Sequence, residues 1–379
     1  MTSPHVIALA PFGRTERDQH LLDDDAYYAA FLADLSLPLT YIAGEASASR
    51  LSKQMSGRAN VCVETLPLRS GRWAFEWQAQ KMLKSALQRV PKGQSVKVIF
   101  FGYSETLALM CAPVLRLYGA EVDLVNTNNI APPRVTKYRH FMRLLHAALG
   151  PQLRRFIVHT AFEKRLVETT FPRLIGRTVV KGHHMLLSDP VRIAKRLQRS
   201  RDHWVVSCFG PIRADKSPEV LNAVLAHLAE RETSESIQVK LYKVDPEQVV
   251  VPDGAPDVTF HTDFMEHDVY RDRIAESDLV ILAHTPSFEG KLSGILCDCL
   301  SLAVPYTGID IEPLTEFNQS FGEMGILLSH DDPAHWHEAI AKVFDPKVHQ
   351  AQQTNLMRYA AEANSDQLQK AYAQVFGLA

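Results

Sequence analysis

Long apolar runs are missing from this sequence of 379 residues. No stretch approaches the roughly 18 to 20 apolar residues that a membrane-spanning helix needs. The run near the start is only about eight residues long, with no basic segment before it and no small-residue cleavage motif after it, so we expect no signal peptide. These absences predict a cytoplasmic protein.

Paired cysteines are missing as well. The five cysteines are Cys62, Cys111, Cys208, Cys297 and Cys299, and no two of them have Cys-x-x-Cys spacing. An odd number with this spacing supports neither a disulfide framework nor a zinc knuckle. We expect reduced, mostly buried thiols.

An Asp-x-Asp pair flanked by apolar strand residues, which would suggest a divalent metal, is also not found. The nearest pattern is Asp23 to Asp25, and this run is typical of the start of a helix, where acids are favourable in the first turn. No metal and no cofactor is therefore expected.

The sequence does have ordinary globular composition, with 46% hydrophobic and 22% charged residues. Its length exceeds what one hydrophobic core usually supports, which predicts two domains. The net charge is only −2, yet residues 134–201 contain 16 Lys or Arg against three acids. One interpretation is that this stretch forms a solvated basic face. The other is that it attracts anionic lipid headgroups or a phosphate-bearing acceptor. Nucleic acid is not expected, because no recognition motif accompanies the charge.

Short β-branched runs alternate with helical stretches along the first half. This alternation predicts an α/β fold with a doubly wound parallel sheet. Helices are expected at 23–35, 73–90 and 104–118. The predicted strands are HVIALAPF, PLTYIAG, NVCVETLPL, VKVIFFGY, EVDLVNTN, RRFIVHT and TVVKG.

The same pattern restarts after a charged helix predicted at 190–201. A boundary near 185–202 would separate two Rossmann-like sheets, and the carboxyl ends of their strands would face a cleft. The last forty residues indicate helices broken at Pro346 and near Asn364. The predicted strands of this half are HWVVSCFG, IQVKLYKV, VTFHTDF, DLVILAHT, AVPYTGI and MGILLSH.

A basic amphipathic helix is predicted at 132–149, with Phe141, Leu144, Leu145 and Leu149 on one side. Two interpretations stay open. The apolar side packs on its own domain, or it attaches the protein to a membrane surface.

The stretch FGPIRADKSP is the first candidate for chemistry. A buried strand runs into Gly210 and is followed by Arg213 and Lys216, before a helix marked by Ser217 and Pro218. A guanidinium fork and an ammonium three residues apart suit the oxygens of a diphosphate. The alternative is a pair of solvated loop cations.

The stretch SFEGKLSGILCDCL is the second candidate. Glu289 and Gly290 follow a strand, and Ser293 and Gly294 open a helix that carries Asp298 one turn later. The start of a helix offers free backbone N–H groups to a phosphate, and a carboxylate inside it can accept hydrogen bonds from ribose hydroxyls. Alternatively, Ser293 caps a core helix and Asp298 is a half-buried polar residue.

Together these two stretches resemble the family 4 glycosyltransferases of bacterial polysaccharide synthesis. FGPIRADKS is similar to the family's Arg-x-x-Lys-Gly segment, and SFEGKLSGILCDCLSLAVP to its Glu-rich donor motif followed by Val-Pro. The resemblance implies a GT-B fold with two Rossmann-like domains facing a cleft and a closing helix that returns to the first domain. The domains are then expected at 1–188, 189–355 and 356–379.

The resemblance also implies roles for individual residues. Arg213 and Lys216 beside Gly210 would grip the donor diphosphate, Glu289 the transferred sugar and Asp298 the ribose. The backbone amides that would hold the diphosphate from the helix side belong to Ser293, Gly294 and Ile295. The chain departs from the family pattern in three ways: Glu289 and Asp298 are one residue further apart and the second acid is shortened, Ser217 replaces a glycine, and Ala303 stands where Gly often precedes Val-Pro.

Candidates in the first half rest on their position after predicted strands. Gly13 and Arg14 would touch the acceptor or form an ordinary turn. Asn128 belongs to an Asn-rich cluster that either lies near the reacting sugar or forms a turn. His183 and His184 are candidate catalytic residues, with a structural histidine as the alternative. If the reaction inverts the anomeric centre, the nearby candidates for a general base are Asp18, His20 and Asp23 to Asp25.

The resemblance implies a retaining, metal-independent hexosyltransferase. Its donor would be a UDP- or GDP-sugar and its acceptor a glycan or a polyprenyl-diphosphate-linked glycan, at the inner face of the cytoplasmic membrane. A nucleotide-sugar epimerase is a rival within the fold, while the chain is too short for a sugar phosphorylase. A rival of another class is an inactive protein that binds sugar nucleotides or acts in an assembly complex.

Overall fold

The computed structural model describes residues 3–15, 19–68, 71–102, 104–126, 135–199, 203–213, 215–231 and 236–378, with the backbone alone at 19, 20 and 135–138. The chain divides into two compact units. The first contains Met1–His184 and Leu368–Ala379, and the second contains Met185–Gln367. The domain limits at 188 and 355 stay predictions.

The first unit is built on a seven-stranded sheet in the order β3-β2-β1-β4-β5-β6-β7, with every pair of neighbours parallel. Helices cover both faces of such a sheet, so its central strands are mostly apolar, and the buried Lys97 and Asp123 form an ion pair at 3.2 Å. All seven predicted strands of the first half are confirmed. They are β1 (His5–Ala10), β2 (Leu39–Gly44), β3 (Val61–Leu66), β4 (Val96–Phe101), β5 (Glu121–Val125), β6 (Leu153–Val158) and β7 (Thr178–Val180).

The helices of this unit cross between successive parallel strands. Three of them match the predicted ranges at 23–35, 73–90 and 104–118 to within a few residues, while the second and sixth were not predicted. They are α1 (Gln19–Asp34), α2 (Glu45–Gln54), α3 (Arg72–Arg89), α4 (Glu105–Leu117), α5 (Val135–Leu149) and α6 (Ala161–Thr170).

The prediction that Asp23 to Asp25 occupy the first turn of their helix was wrong. Helix α1 already covers Gln19, so these acids lie in its second turn. Asp24 and Asp25 are buried, and both contact polar side chains from elsewhere in the unit. The helix therefore extends upstream of the acids, which have partners inside the fold rather than at a helix terminus.

Helix α5 settles which side of the basic amphipathic segment is apolar. Phe141, Leu145 and Leu149 are buried in the core of the first unit, next to α4. Leu144 is 59% exposed, so placing it on the same side was wrong. The apolar side of α5 is therefore used in packing on its own unit.

The second unit is built on a six-stranded parallel sheet in the order β10-β9-β8-β11-β12-β13. Strand order reverses between β8 and β11, which is where ligands bind in open α/β sheets. The six predicted strands are confirmed. They are β8 (Trp204–Phe209), β9 (Ile237–Tyr242), β10 (Asp257–His261), β11 (Leu279–Leu282), β12 (Tyr306–Ile309) and β13 (Gly325–Leu328).

Side chains cap the start of some helices in the second unit. Asp189 accepts a hydrogen bond from the Arg192 amide before α7, which ends at Leu197 rather than continuing to 201 as predicted. The helices of this unit are α7 (Pro190–Leu197), α8 (Glu219–Glu230), α9 (His267–Ala275), α10 (Gly294–Ser301), α11 (Leu314–Phe321), α12 (Trp336–Val343) and α13 (Pro346–Glu362). The last helix, α14 (Ser365–Phe376), begins in the second unit and belongs to the first unit from Leu368 onward.

Helix α14 ends the chain within the first unit. The Tyr372 hydroxyl lies 3.2 Å from that of Tyr28 and donates to the Gly182 carbonyl at 3.1 Å. Phe376 packs edge-on against Phe101. The helix breaks predicted at Pro346 and near Asn364 are confirmed.

The described residues also test two expectations from the sequence, which concern membrane-spanning helices and paired cysteines. None of their helices combines the length and the hydropathy needed to cross a bilayer. All five cysteines are free and four of them are buried, the exposed one being Cys62, as the sequence predicts.

Candidate functional site

The loop after β8 carries the first group of predicted binding residues. Gly210 has φ +92°, a left-handed backbone conformation that favours glycine. A Cβ at this position would lie 2.9 Å from Lys216 Nζ and 3.8 Å from Ile295 Cδ1. The fold therefore brings Ile295, which is distant in sequence, next to Gly210 and Lys216 of the loop after β8.

Lys216 is held in place by its backbone. Its amide donates to the Arg213 carbonyl at 2.7 Å, and the Ser217 amide donates to the Ala283 carbonyl at 3.0 Å, which joins this loop to the end of β11. Burial lowers the pKa of the Lys216 ammonium from its ordinary value. A partly desolvated ammonium of this kind attracts an anion more strongly than a fully hydrated one.

A second cation, Lys291, lies close to this group and was not predicted as a site residue. Asp215 accepts from Arg213 Nε at 2.8 Å and from Lys291 Nζ at 3.3 Å. Burial alone would raise the pKa of Asp215, but these two donors hold it below its ordinary value. One carboxylate thus organises two cations next to a third, Lys216. Lys291 follows Gly290 in the stretch SFEGKLSG. A lysine next to a glycine in this candidate binding stretch was the signal by which the sequence could have identified it.

The start of α10 forms the opposite side of the same loop group. The Ser293 hydroxyl caps the helix by accepting from the Leu296 amide at 3.4 Å. The following residues, Gly294 and Ile295, are in the first turn, where backbone N–H groups have no partner within the helix. Gly294 is exposed, so these amides and the positive end of the helix dipole are available to an anion.

The two predicted acids occupy different surroundings. Glu289 accepts from the Glu312 amide at 3.1 Å, and burial raises its pKa above the ordinary value. Asp298 is buried, with Oδ1 3.5 Å from Arg271 Nε. Burial raises the pKa of Asp298 to about 6, opposed by Arg271 and by a hydrogen bond from Tyr270. Glu289 is thus partly exposed in its loop, whereas the Asp298 carboxylate is buried and contacts Arg271 and Tyr270.

His284, at the end of β11, is another residue that the sequence did not single out. Its ring stacks on Phe288 with centroids 4.0 Å apart, and it pairs through its backbone with Lys216. Neither ring nitrogen has a hydrogen-bond partner among the described residues. Burial, together with the Lys216 charge, lowers the pKa of His284 to about 3, so the ring is neutral. It adds no charge to the cationic group.

The first unit contains a separate buried cluster at its strand ends. His184 Nδ1 lies 2.8 Å and His183 Nε2 3.5 Å from the carboxylate of Asp24. Burial would raise the pKa of Asp24, but the two imidazoles outweigh it and keep the carboxylate ionised. The predicted catalytic histidines are thus brought together with one member of the predicted acidic run.

The pKa of the neighbouring Asp25 is shifted in the opposite direction. Burial and the neighbouring charge of Asp24 raise its pKa to about 8, against hydrogen bonds from Ser47 and Tyr41. Two adjacent carboxylates in one helix therefore differ in protonation state at neutral pH, because only Asp24 contacts imidazoles that favour its ionised form.

Gly13 and Arg14, the predicted acceptor residues, lie at the edge of this cluster. A Cβ on Gly13 would come within 1.9 Å of Ser47 Oγ and 3.0 Å of Asp25 Oδ2, so only glycine fits. The Arg14 guanidinium lies over the Phe75 ring, 3.6 Å from its centroid. Asn128 lies outside the described residues.

His159 is a further member of the cluster that sequence reasoning missed. It follows β6 directly, so its position after a strand was the available signal. Its Nδ1 lies 3.0 Å from the Lys181 carbonyl, and its ring is 4.7 Å from that of His183. Burial, aided by the charge of His183, lowers the pKa of His159 to about 3.

Asp24, His183 and His184 are also the residues that could hold a metal ion. One ligand atom from each lies within 4.8 Å of the other two. Imidazole nitrogens with a carboxylate oxygen form a donor set suited to zinc and similar ions.

Comparison with known proteins gives a match in structure but not in sequence. No family model and no curated protein matches the chain. A glycosyltransferase from Rickettsia africae has a TM-score of 0.65 at 10% identity, covering 99% of this chain and 98% of that one. Anabaena HepE, solved in complex with UDP-glucose, has a TM-score of 0.63 at 11% identity, covering 98% and 99%.

A third structure concerns glycosyl transfer with retention by a trehalose-6-phosphate synthase. It has a TM-score of 0.64 at 10% identity and covers 99% of each chain. At such identities the likeness establishes architecture alone. The chain has a GT-B fold built from two parallel Rossmann-like sheets, as the sequence predicted.

Proposed function

We propose that this protein is a glycosyltransferase whose second unit binds a nucleotide-diphosphate sugar, a UDP- or GDP-sugar, at the loop group of Gly210, Lys216 and the start of α10. The observation that carries the proposal is the position of Lys216 Nζ beside Gly210 and Ile295. An ammonium and a helix N-terminus there converge on one small volume, which suits a diphosphate. The solved structure of Anabaena HepE, which has a similar fold and contains UDP-glucose, agrees with this class of donor.

The same groups would also promote the reaction. When the bond between sugar and diphosphate breaks, negative charge develops on the leaving diphosphate. Lys216, Arg213 and the amides of Ser293 to Ile295 would stabilise that charge without a metal ion. Lys291, tied to the same carboxylate as Arg213, would add a further positive charge.

Roles for the two acids follow from their different surroundings. Glu289 would contact the transferred sugar, because it lies in a partly exposed loop. Asp298 would bind the ribose only by exchanging or sharing its contact with Arg271. His183 and His184 remain proposed catalytic residues, with Gly13 and Arg14 near the acceptor and Asp24 orienting the imidazoles.

The proposed acceptor is a glycan or a polyprenyl-diphosphate-linked glycan in bacterial surface polysaccharide synthesis, and the proposed reaction is hexose transfer with retention. This part rests on the sequence resemblance. The rival proposal is a protein that binds sugar nucleotides without turnover, alone or in an assembly complex. The observation that favours the rival is Asp298, which is shortened, shifted by one residue and already paired.

The first experiment is thermal unfolding with UDP, GDP, dTDP and ADP in the absence of metal. A ligand that binds the folded state raises the melting temperature. We expect one nucleotide to stabilise the wild type, and the effect to be lost in Lys216→Met, which keeps the aliphatic side chain. The control is Lys342→Met, on an exposed part of α12. No stabilisation by any nucleotide would refute the donor site.

Turnover separates the two proposals. Release of the stabilising nucleotide from a panel of its sugar derivatives, with and without glycan acceptors, should occur with wild type and fall strongly in Lys216→Met. Tight binding without any release across the panel would favour the non-catalytic protein.

A further inference from the structure

Helix α3 exposes two tryptophans to solvent. Trp73 is 70% and Trp77 is 52% exposed, although large aromatic side chains are usually mostly buried. They are four residues apart, so they lie one turn apart on the same side of the helix. Leu68, shortly before the helix, is 55% exposed as well. This surface, defined by Leu68, Trp73 and Trp77, is called the tryptophan face below.

Beyond the tryptophan face, the exposed side of α3 carries two lysines. Lys81 and Lys84 follow at the next helical spacings and are exposed, with no acidic partner for either among the described residues. Lys81 Nζ lies 3.4 Å from the centroid of the Trp77 ring. All of residues 72–89 are described, and their one acid, Glu76, is buried and paired with Arg72. The exposed side of α3 is therefore aromatic and basic, without an exposed acid.

The opposite side of α3 is firmly packed. Phe75, Ala79, Leu83 and Leu87 are buried in the core of the first unit. Turning the helix to cover the tryptophans would expose these apolar side chains to water, which is unfavourable. The tryptophan face is thus a fixed outer surface of the folded unit.

We propose that the tryptophan face of α3 docks the protein on an anionic lipid bilayer. Indole rings favour the level of the lipid headgroups, where the ring is in an apolar region and the N–H meets polar groups. Lys81 and Lys84 would lie over the headgroups, where anionic lipid attracts them. Aromatic residues beside unpaired lysines are typical of helices that lie in the plane of a membrane surface.

For the basic segment at 132–149, the sequence left packing on its own domain and membrane attachment both open. Its apolar side chains Phe141, Leu145 and Leu149 are buried, so the proposed membrane contact lies on α3 instead. The proposal goes beyond the donor site, because it concerns where the protein works and not which nucleotide it binds. It predicts weak, reversible attachment, since one short helix face buries little apolar area.

The test is sedimentation of the full-length protein with large vesicles of phosphatidylglycerol and phosphatidylcholine, or of phosphatidylcholine alone. We expect binding to the anionic vesicles that falls about tenfold in the double variant Trp73→Ala with Trp77→Ala. The double variant Lys81→Gln with Lys84→Gln should bind anionic vesicles more weakly and lose the dependence on salt. The control removes exposed apolar side chains elsewhere in the same unit, through Leu117→Ala with Ile175→Ala.

Bromine-labelled lipid gives an independent measurement. It should quench the fluorescence of wild type, and quenching should disappear in the tryptophan variant, which retains Trp204 and Trp336. Circular dichroism and nucleotide stabilisation should be unchanged in that variant, so a failure to fold or a failure of the donor site is recognised separately.

Three outcomes would overturn the proposal. Equal vesicle binding by wild type and the tryptophan variant would show that another surface attaches. Quenching by a soluble oligosaccharide in place of lipid would assign the face to a glycan. A concentration-dependent dimer that the variant abolishes would assign it to a second copy of the chain.

Discussion

The two groups of polar residues at the strand ends differ in how their charges are compensated. In the first unit, the buried carboxylate of Asp24 lies beside the imidazoles of His183 and His184, which stabilise its charge. In the second unit, Asp215 contacts two cations, while Lys216, near the first turn of α10, forms an ion pair with no acid among the described residues. A group with surplus positive charge at an open loop is prepared for an anionic ligand, whereas a compensated and buried group is first of all part of the structure.

Removing Asp24 should give the largest effect on this contrast. Asp24→Ala leaves two buried imidazoles without their carboxylate, and we expect a loss of about 3 kcal/mol in the free energy of unfolding. Urea unfolding followed by circular dichroism measures it. The control is Asp332→Ala, which removes the partner of the exposed His335 and should cost less than about 1 kcal/mol. Equal losses would mean that burial does not distinguish the two pairs.

Substitution of Gly210 tests whether nucleotide binding needs the close approach of the Lys216 ammonium to the Gly210 backbone. Gly210→Ala places a Cβ 2.9 Å from Lys216 Nζ, so nucleotide affinity should fall about tenfold as the ammonium is displaced. Gly93→Ala is the matched control, because Gly93 has φ +86° but no atom within 4 Å of its Cβ position. Isothermal titration calorimetry compares the two. Similar affinities in both variants would show that only backbone strain matters.

Asp25 should make the stability of the first unit depend on pH. Its pKa of about 8 in the folded state lies above the unfolded value near 3.9, so the folded protein holds a proton that the unfolded chain releases. Its contribution to stability is therefore full below about pH 4 and is lost as the pH rises through about 8, by at most about 1.4 kcal/mol per pH unit. Asp25→Asn should flatten this slope in unfolding experiments between pH 5 and 8, within the window set by these two pKa values. An unchanged slope would assign the titration to another group.

Asp215 should give the smallest effect. Asp215→Asn removes a negative charge between Arg213 and Lys291, and we expect nucleotide binding to tighten about threefold at low salt as the positive potential rises. Calorimetry at two salt concentrations measures the change. Weaker binding would instead show that Asp215 matters by positioning the two cations.

The strands and several helix ends could be predicted because they depend on neighbours in the chain. The β-branched runs gave all thirteen strands, and Pro346 marked the start of α13. The start of α1 could not be predicted in this way. Asp24 and Asp25 were predicted as first-turn acids, but both are buried, Asp24 beside histidines about 160 residues later and Asp25 beside Tyr41 and Ser47.

The candidate site shows the same division. The sequence determined an α/β chain, glycine and cations at the end of β8, and a small-residue helix start, because each of these is a local pattern. Tertiary structure decided that Lys291 and His284 lie near Lys216, that Asp298 contacts Arg271, and that α3 exposes two tryptophans while Phe141, Leu145 and Leu149 of α5 are buried. Those outcomes depend on contacts between residues distant in sequence, which local propensity and periodicity do not contain.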